Sequence, residues 1–439
     1  MSVLTAAHQK LSNYFPDFWS IYLLSCGFQH IFFFPIVNDK IQLPEFVFIS
    51  GLVYYALKYP IKEVFNHFSP LLKSSAALLA LFWLLIHFIS FIINPGIGGF
   101  LECLGIGYLI LVYLIFYVGF KNLDTKILKE KITVAFANLA WAMSSIALIT
   151  FLSSVFWKPN ATAQIFYNYP YFGDAFRLQG FTTTPAMYVS IISLAIGFSL
   201  YDFLWRTQKK QDLIASIFFS LVSVLTLSKS VLFIGFIWIA LFGFKYKIHK
   251  SMILLMGIAT FLLHAIMTHF LIVDKHQIDA QEFRTTPYTS NECIYEGSDF
   301  AIYGSGYYTF KKTAWQIFKE HKWFGTGPDN YNSSVDALKE KGQYPSNLPA
   351  YDPHSTWLGS LATSGIFAFL ILLGFAIYII LNLIYLWPLQ DHFSFLLVLL
   401  TFIIFAESIS MDIMNFRHYW VFMAVLLVYR KTGGEGAKA

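Results

Sequence analysis

The residue type and position of His354 favour proton transfer. It follows Pro353, which restricts the path of the chain, and it stands at or just before the start of a long apolar segment. At that place the positive end of a helix dipole favours the neutral, proton-accepting imidazole. His354 is therefore a candidate general base, and Asp352 either orients it or caps the helix. The alternative is a histidine that merely lies at the boundary of the apolar segment.

Three polar clusters interrupt the otherwise apolar sequence. They are Arg177 to Pro185, Lys311 to Pro328 and Tyr351 to Gly365. Polar groups at the boundary of an apolar segment are expensive to bury, so they are candidates for function by default. Chemistry is therefore expected first among the residues of these three clusters.

The elements that position these clusters are predicted to be membrane helices. Hydrophobic residues make up 57% of the 439 residues and charged residues only 13%, against about 25% charged in a globular protein. Unbroken apolar runs such as Leu71 to Ile93 and Ile366 to Trp387 reach the roughly 20 residues that cross a bilayer. The sequence predicts an all-α polytopic membrane protein with about twelve transmembrane helices.

Basic residues mark alternate connections between the predicted spans. We place the spans near 18–37, 42–59, 71–93, 97–120, 132–156, 185–205, 210–228, 230–246, 252–273, 356–386, 388–408 and 413–430. Lysine and arginine gather in the connections after the second, fourth, sixth and eighth spans, and such residues favour the cytoplasmic side. Both termini are therefore predicted to be cytoplasmic.

The segment Asp212 to Phe244 is long enough for one helix. However, basic residues flank it on both sides, so both of its ends are predicted to be cytoplasmic and the segment must cross the membrane twice. Its turn then falls at Ser228, Lys229 and Ser230. Lys229 would lie at the outer face, against the general distribution of basic residues. It is either a functional cation or a lysine whose charged end reaches the interface along an apolar surface.

The same alternation of cytoplasmic and outer connections places the one long hydrophilic stretch, Asp274 to His354, on the outer side of the membrane. The chain then divides into residues 1–273 with nine spans, the large loop 274–354, and residues 355–439 with three spans and a cytoplasmic tail. An amphipathic helix is predicted in the loop, ended by the glycines and proline that follow it. The residues of this pattern are Tyr308, Lys311, Lys312, Trp315, Ile317, Phe318, Lys319 and Glu320, followed by Gly325, Gly327 and Pro328.

Composition also argues against several classes of function. The formal charge is +5, but the basic residues are dispersed and form no nucleic-acid module, so no nucleic-acid partner is expected. Three cysteines without a CxxC pair predict neither a zinc site nor a disulfide framework. The sequence has no DxD motif to hold a metal. We expect neither a metal nor a cofactor.

The order and spacing of the polar clusters resemble those of a known superfamily. The motifs are Arg177-Leu-Gln-Gly180 with Pro185, Trp315 followed by Gly325-Thr-Gly327, and His354-Ser355 followed after nine residues by Gly365. From about Arg177 to Gly365 the chain resembles the O-antigen ligase superfamily, which joins lipopolysaccharide ligases, Wzy-type polymerases and protein O-oligosaccharyltransferases. The resemblance implies a GT-C-like architecture with short helices in one large periplasmic loop.

Three positions depart from the pattern of that superfamily. Lys229 stands in Ser228-Lys229-Ser230 where Ser-Arg-Gly is usual, and Lys311 stands where an arginine usually precedes the loop tryptophan. Lysine binds phosphate as a point charge, whereas arginine binds it with a two-pronged fork. Ala368 replaces the glycine, threonine or tyrosine common in the ligases, which loosens the assignment to a subfamily.

The resemblance implies transfer of a glycan en bloc from an undecaprenyl diphosphate carrier to an acceptor hydroxyl, at the periplasmic face of the bacterial inner membrane. His354 would be the base, and Arg177, Lys229 and Lys311 would bind the diphosphate, without metal and with inversion. The lipid bilayer would hold the carrier. Supporting residues are expected to be Gly180, Lys312, Trp315, Gly325, Gly327, Asp352, Ser355, Gly365 and Arg417.

Several alternatives stay open at this point. The acceptor is a lipid A core sugar in an O-antigen ligase, a protein hydroxyl in an O-oligosaccharyltransferase and a growing glycan in a polymerase. Asp39 is an alternative base. A second set, either an ion-pair cluster or a substrate contact, comprises Glu407, Asp412, Arg417 and His418. Outside this class, a twelve-helix transporter or flippase predicts polar residues near the middle of the bilayer, and a noncatalytic scaffold predicts no effect of removing His354.

Overall fold

The computed structural model describes most of the chain as helices. It covers residues 18–29, 42–58, 74–121, 123–157, 162–169, 173–275, 289–346, 348–386 and 391–436. The helices of the apolar bundle are α1 (18–26), α2 (Leu43–Lys58), α3 (Ser75–Ile93), α4 (Ile97–Lys121), α5 (Thr125–Phe156), α6 (Pro185–Tyr201, continued by a π-helix Asp202–Arg206), α7 (Lys210–Val224), α8 (Val231–Lys245) and α9 (Lys250–His269). Further along the chain are α10 (Gly306–Glu320), α11 (Tyr331–Glu340), α12 (Thr356–Leu386), α13 (His392–Glu407) and α14 (Arg417–Gly436).

Each predicted span overlaps a helix in the described residues. Six of these helices are long and apolar enough to cross a membrane, namely α3, α4, α5, α6 with its π-helical end, α9 and α12. Shorter apolar helices lie at α8, α13 and the first part of α2. The polytopic helical architecture is therefore confirmed in outline, whereas twelve crossings and their sidedness stay predictions.

Helix α6 is the centre of the bundle, because nearly all of its residues are buried. Its start follows from local sequence: Pro185 occupies the first turn, and the Thr184 hydroxyl accepts a 3.1 Å hydrogen bond from the Met187 amide. Both features favour helix initiation. Just upstream, Gly180 has a φ of +63° and forms the turn that leads into the helix. A left-handed conformation of this kind is one that glycine adopts at little cost.

The long apolar segment 212–244 folds back on itself as its flanking charges predict. Helix α7 ends at Val224, a turn occupies 225–230, and α8 begins at Val231. This turn lies at the same end of the bundle as the starts of α6 and α12 and the end of α9. We call this end, defined by residues 177–184, 225–230, 264–269 and 352–356, the site end.

Two small antiparallel sheets at the site end were not expected in an all-α protein. Strands β1 (Ala163–Tyr169) and β2 (Gly173–Leu178) form a hairpin. Strands β3 (Phe270–Asp274), β4 (Thr289–Glu296) and β5 (Phe300–Ser305) form a sheet in the order β3-β5-β4.

The predicted end of the ninth span was wrong for a related reason. The apolar run was taken to continue as helix to residue 273, but α9 ends at His269 and Phe270–Asp274 is a strand paired with β5. Hydropathy cannot distinguish these two states, because a short apolar run suits a strand as well as a helix end. The partner strand, about 30 residues away, decides the outcome.

The amphipathic helix predicted in the large loop is confirmed as α10. Its buried face, which includes Thr309, Phe310 and Ile317, packs with α11 and with the start of α12 into a small hydrophobic core. The helix ends at Glu320, several residues before the glycines that were expected to end it. The loop therefore has its own packed structure and lies against the bundle.

A buried ion pair joins the two ends of the chain. The Arg417 Nε donates to Glu45 Oε1 at 2.6 Å, and both side chains are only 12% exposed. Arg417, expected as a supporting site residue, is thus engaged with α2. Its partner was not foreseen because the two residues lie 372 positions apart.

Removal of Glu45 is expected to destabilise the protein strongly. Glu45→Ala leaves the Arg417 guanidinium buried without its carboxylate, which costs about 3–5 kcal/mol. Thermal unfolding of the purified protein in detergent measures the effect. The matched control is Glu292→Ala, which breaks the exposed Lys312–Glu292 pair and should cost about 1 kcal/mol or less. Equal losses for the two variants would contradict the prediction.

Candidate functional site

His354 is held in one orientation by Asp352. The carboxylate Oδ1 accepts a 2.9 Å hydrogen bond from the His354 amide and a short one from the ring Nδ1. Because a carboxylate can only accept, Nδ1 carries the proton and Nε2 keeps its lone pair. The His354 side chain is 31% exposed.

The charge of Asp352 is maintained by its contact with His354. Partial desolvation raises the pKa of Asp352, but the hydrogen bonds from the His354 ring and amide outweigh it, so the pKa lies below its ordinary value. Asp352 is therefore ionised at neutral pH. Of its two predicted roles, these hydrogen bonds favour the orientation of His354.

Aromatic rings surround His354 and connect it to the cations. The centroids of Tyr307, Phe310 and Tyr351 lie 5.1, 5.3 and 6.0 Å from the His354 ring centroid. The Tyr307 ring also carries the ammonium of Lys229, with Nζ 5.8 Å from its centroid. One tyrosine thus contacts both the candidate base and a candidate phosphate ligand.

Arg177 and Lys229 are brought together by backbone contacts between β2 and the turn 225–230. The Leu178 amide donates to the Leu225 carbonyl at 2.9 Å, and Arg177 Nε donates to the Thr226 carbonyl at 2.8 Å. Burial, and secondly the positive charge of Arg177, lower the pKa of Lys229 to about 8. The two cations therefore face the same space, although 52 positions of sequence separate them.

Lys311 approaches the same space from the large loop. It lies one helical turn after Tyr307 on α10, and its Nζ contacts Nε2 of His269, the last residue of α9. Burial lowers the pKa of Lys311 to about 7. Buried His264, one turn earlier on α9, lies within electrostatic range of both Lys229 and Lys311.

Sequence reasoning missed both of these histidines. His264 and His269 lie in the predicted ninth span, where an isolated histidine in an apolar run gives no signal of its own. Their relation to the two lysines exists only after α9 has been packed beside α10. The available signal was their position near the outer end of the span, where polar residues deserve a functional interpretation.

Gly365 breaks helix α12, and the backbone of the large loop packs into the break. We call this contact between residues 322–327 and 362–366 the seam. Its φ of 78° and ψ of −171° are not helical, and this region of backbone space is essentially restricted to glycine. A Cβ at Gly365 would lie 2.1 Å from the Trp323 carbonyl oxygen, and one at Gly325 would lie 2.3 Å from the Thr363 carbonyl carbon. The two backbones therefore touch at a distance that only glycine permits.

Backbone hydrogen bonds close this seam. The amides of Thr326 and Gly327 donate to the carbonyls of Ala362 and Thr363, both at 2.9 Å, and the Ile366 amide donates to the Lys322 carbonyl at 2.9 Å. The loop satisfies the polar groups that the helix break exposes, as an apolar environment requires. Gly325, Gly327 and Gly365 thus support the site through backbone structure.

The start of α12 is fixed on its other side by the turn between α13 and α14. The Thr356 amide donates to the carbonyls of Ser408 and Met411 at 3.0 and 3.1 Å, and the Thr356 hydroxyl accepts from the Ile413 amide at 2.9 Å. Ser355 caps the same helix, accepting from the Leu358 amide at 3.4 Å. His354 therefore directly precedes two anchored residues.

A match to a known family covers the region in which these parts meet. Residues 182–373 match the family model of the O-antigen ligases. The resemblance inferred from the motifs is confirmed over this range, which includes Lys229, Lys311 and His354 but begins after Arg177. A comparison with curated proteins gave no match. Together with the apolar helices, the family match indicates a multi-pass membrane protein.

Two predicted supporting residues lie away from His354 and the candidate cations. Lys312 Nζ pairs with Glu292 at 2.6 Å, and both side chains are exposed. Trp315 is 49% exposed and lies against Phe318, with ring centroids 5.3 Å apart. Both lie outside the buried face of α10, so the prediction that they support the site was wrong: they are surface residues.

The predicted cluster of four residues near the last outer turn divides into three parts. Arg417 pairs with Glu45. Asp412 accepts from the Thr356 hydroxyl at 3.3 Å, and burial, with the negative charge of Asp352, raises its pKa to about 7. The third part is a buried polar group in the bundle formed by Glu407, Tyr419, Ser190 and His418. The single ion-pair cluster is therefore wrong.

The remaining candidates concern Asp39 and metal binding. Asp39 lies outside the described residues. Within the described ranges, no group of three or more histidine, cysteine, aspartate or glutamate side chains is arranged to hold a metal ion.

Replacement of Lys229 is expected to weaken anion binding. Lys229→Met removes a buried charge-assisted contact worth about 1.5–3 kcal/mol, so the affinity for inorganic pyrophosphate should fall by about 10-fold or more. Wild-type binding should also weaken as pH rises through about 8, where Lys229 loses its proton. Isothermal titration calorimetry measures both effects. Lys312→Met is the control, since this lysine is exposed and paired with Glu292; a loss of equal size there would contradict a localised site.

Proposed function

We propose that this protein is an O-antigen ligase that transfers a glycan en bloc from an undecaprenyl diphosphate carrier to a hydroxyl of a lipid A core sugar. The reaction would occur at the periplasmic face of the bacterial inner membrane. One observation carries the proposal: His354 and Lys229 both contact Tyr307, Arg177 acts on Lys229, and Lys229 and Lys311 both act on His264, so the candidate base and cations form one cluster. The family match over residues 182–373 supports the same class of reaction.

In the proposed reaction, Nε2 of His354 takes the proton of the acceptor hydroxyl. The acceptor oxygen then attacks the anomeric carbon, and the bond between that carbon and the diphosphate oxygen breaks. Asp352 stabilises the imidazolium that forms, through the hydrogen bond at Nδ1. A single displacement of this kind inverts the anomeric configuration.

The cations act on the departing diphosphate. Negative charge develops on the bridging oxygen as the bond breaks, and preorganised positive groups in a partly desolvated site stabilise it strongly. Arg177 is fixed by Thr226 and Lys229 lies over Tyr307, so both charges are in place before the reaction. No metal ion is required for this role in the proposed mechanism.

The position of the polar residues favours this proposal over a transporter. Transporters commonly use broken helices that line a binding site near the middle of the bilayer. Helix α12 is broken at Gly365, but the break is filled by backbone of residues 322–327. The candidate cations and base lie on β2, in the turn 225–230, on α10 and just before α12, outside the interiors of the apolar helices, as expected for chemistry at one face of the bundle.

Reconstituted transfer tests the proposed function. Purified full-length protein is mixed with an undecaprenyl diphosphate oligosaccharide, a chelator, and separately a lipid A core acceptor, a serine-containing peptide or a free glycan. Mass spectrometry of the products identifies the acceptor, and NMR of the new linkage gives its anomeric configuration. Transfer to the lipid A core with inversion supports the proposal.

Each other outcome has a defined meaning. Transfer only to the peptide or only to the glycan would assign the protein as an O-oligosaccharyltransferase or a polymerase instead. Loss of transfer with the chelator would contradict the metal-independent mechanism. Absence of transfer to every acceptor would reject the enzyme class.

A further inference from the structure

The contact between Lys311 and His269 has a specific direction. The Nδ1 of His269 donates to the Ala265 carbonyl at 2.6 Å, so Nε2 carries the lone pair. Lys311 Nζ contacts this Nε2 and must be the donor. The imidazole therefore orients the lysine but does not neutralise its charge.

The electrostatic surroundings of this pair are unusual for a lysine. Among the residues that the structure describes, no carboxylate forms an ion pair with Lys311 or Lys229. His269 contacts Lys311, and His264 lies within electrostatic range of both Lys311 and Lys229. Lys229 in turn interacts with Arg177 of β2 and with Tyr307 of α10, and Tyr307 lies close to Asp352 and His354 before α12. Burial lowers the pKa of the Lys311 ammonium, which therefore loses its proton more readily than an exposed one.

We propose that Lys311 is the general acid of the reaction and that His269 is the residue that positions it. The proposal rests on the proposed function, because it assigns a proton donor to the departing diphosphate of that reaction. It goes beyond the role of a fixed cation, which an arginine would fill equally well.

The proton balance of the step is complete. As the bond between the anomeric carbon and the diphosphate oxygen breaks, its electron pair stays on the phosphate oxygen. That oxygen receives the Nζ proton of Lys311, which becomes a neutral amine, while His354 holds the proton of the acceptor hydroxyl. After the products leave, His354 releases its proton to water and Lys311 takes one from water.

The residue type at position 311 matters for this chemistry. An arginine is protonated at all accessible pH values and cannot transfer a proton. A lysine can do so when burial lowers its pKa, and the pKa of Lys311 is lowered to about 7. A donor with a pKa near the working pH is efficient in general acid catalysis.

Proton uptake on binding of inorganic pyrophosphate gives the first test. Near pH 8 Lys311 is largely neutral, and a bound anion raises its pKa, so binding should draw a proton from the buffer. Calorimetry in buffers of different ionisation enthalpy measures this uptake. Lys311→Arg should still bind pyrophosphate but take up fewer protons, while Lys312→Arg, the adjacent exposed lysine, should behave as wild type. Unchanged uptake in Lys311→Arg would overturn the proposal.

The pH dependence of glycan transfer gives the second test. Because the acid must be protonated, wild-type kcat/KM should fall as pH rises through about 7. In Lys311→Arg, this decrease of kcat/KM with rising pH should disappear, and kcat should be about 100-fold lower with little change in KM. His269→Asn should shift the pH at which kcat/KM falls while KM stays constant, an effect that a purely structural histidine would not produce.

Different results would reject the acid role of Lys311 and the proposed glycan transfer. If wild-type protein transfers glycan and Lys311→Arg matches it in kcat and in pH profile, only the role of Lys311 as acid is overturned. If wild-type protein transfers no lipid-linked glycan, the proposed function fails and the acid role fails with it. A thermal unfolding midpoint of Lys311→Arg equal to that of wild type excludes misfolding as the cause of a lost rate.

Discussion

Replacement of His354 by asparagine is expected to reduce glycan transfer by about 10³-fold, within the range for loss of a general base. Asparagine is the informative choice because His354 has a φ of 46°, and asparagine tolerates this left-handed conformation better than most residues. The backbone should therefore keep its path while Nε2 disappears. The rate is measured with the lipid-linked donor and with the acceptor that the reconstitution assay identifies.

Two controls separate loss of the base from loss of the site. His354→Asn should bind inorganic pyrophosphate as wild type does, since Lys229 and Lys311 are untouched. Asp352→Asn should give a smaller loss of rate, because it keeps the imidazole but no longer favours the Nδ1-protonated tautomer. Full activity of His354→Asn would remove His354 as the base and return attention to Asp39.

Replacement of Gly365 by alanine is expected to destabilise the protein strongly at the break in α12. The backbone there is essentially restricted to glycine, a strain of about 1–3 kcal/mol for other residues. The added Cβ would also lie 2.1 Å from the Trp323 carbonyl oxygen, and overpacking of this kind costs about 1–3 kcal/mol more. Thermal unfolding should detect the loss, and transfer should fall because residues 354–364 shift.

Gly359 provides the matched control. It lies in the same helix, and a Cβ built on it meets no atom within 4 Å. Gly359→Ala should be neutral or stabilising by up to about 1 kcal/mol, as for a glycine in a helix interior. Equal stability of Gly365→Ala and Gly359→Ala would contradict the account of the seam.

Patterns along the chain predicted much of the bundle. Runs of apolar residues located helices at all the expected positions, and the charges flanking residues 212–244 predicted the turn that carries Lys229. These features are local, since each depends on residues close together in sequence. His354, Lys311 and Arg177 were found in the same way, from motifs a few residues long.

Features that depend on distant pairing were not predictable in this way. Strand Phe270–Asp274 looked like the end of a helix because its partner lies about 30 residues away. The pairing of Arg417 with Glu45 and the contact of His269 with Lys311 likewise require elements to be packed first. Gly325 and Gly365 were recognised as motif positions, but their mutual role appears only when a loop meets a broken helix.

The seam at Gly365 has a consequence for protein engineering. The amides of Thr326 and Gly327 and the carbonyl of Lys322 find their partners in α12, and the Phe324 and Gly325 carbonyls accept from Ser90 and Asn94 at the end of α3. The large loop is therefore not a detachable module. A soluble fragment that spans residues 289–354 would lose these bonds, so antibodies or inhibitors against the native site should be selected on the whole membrane protein.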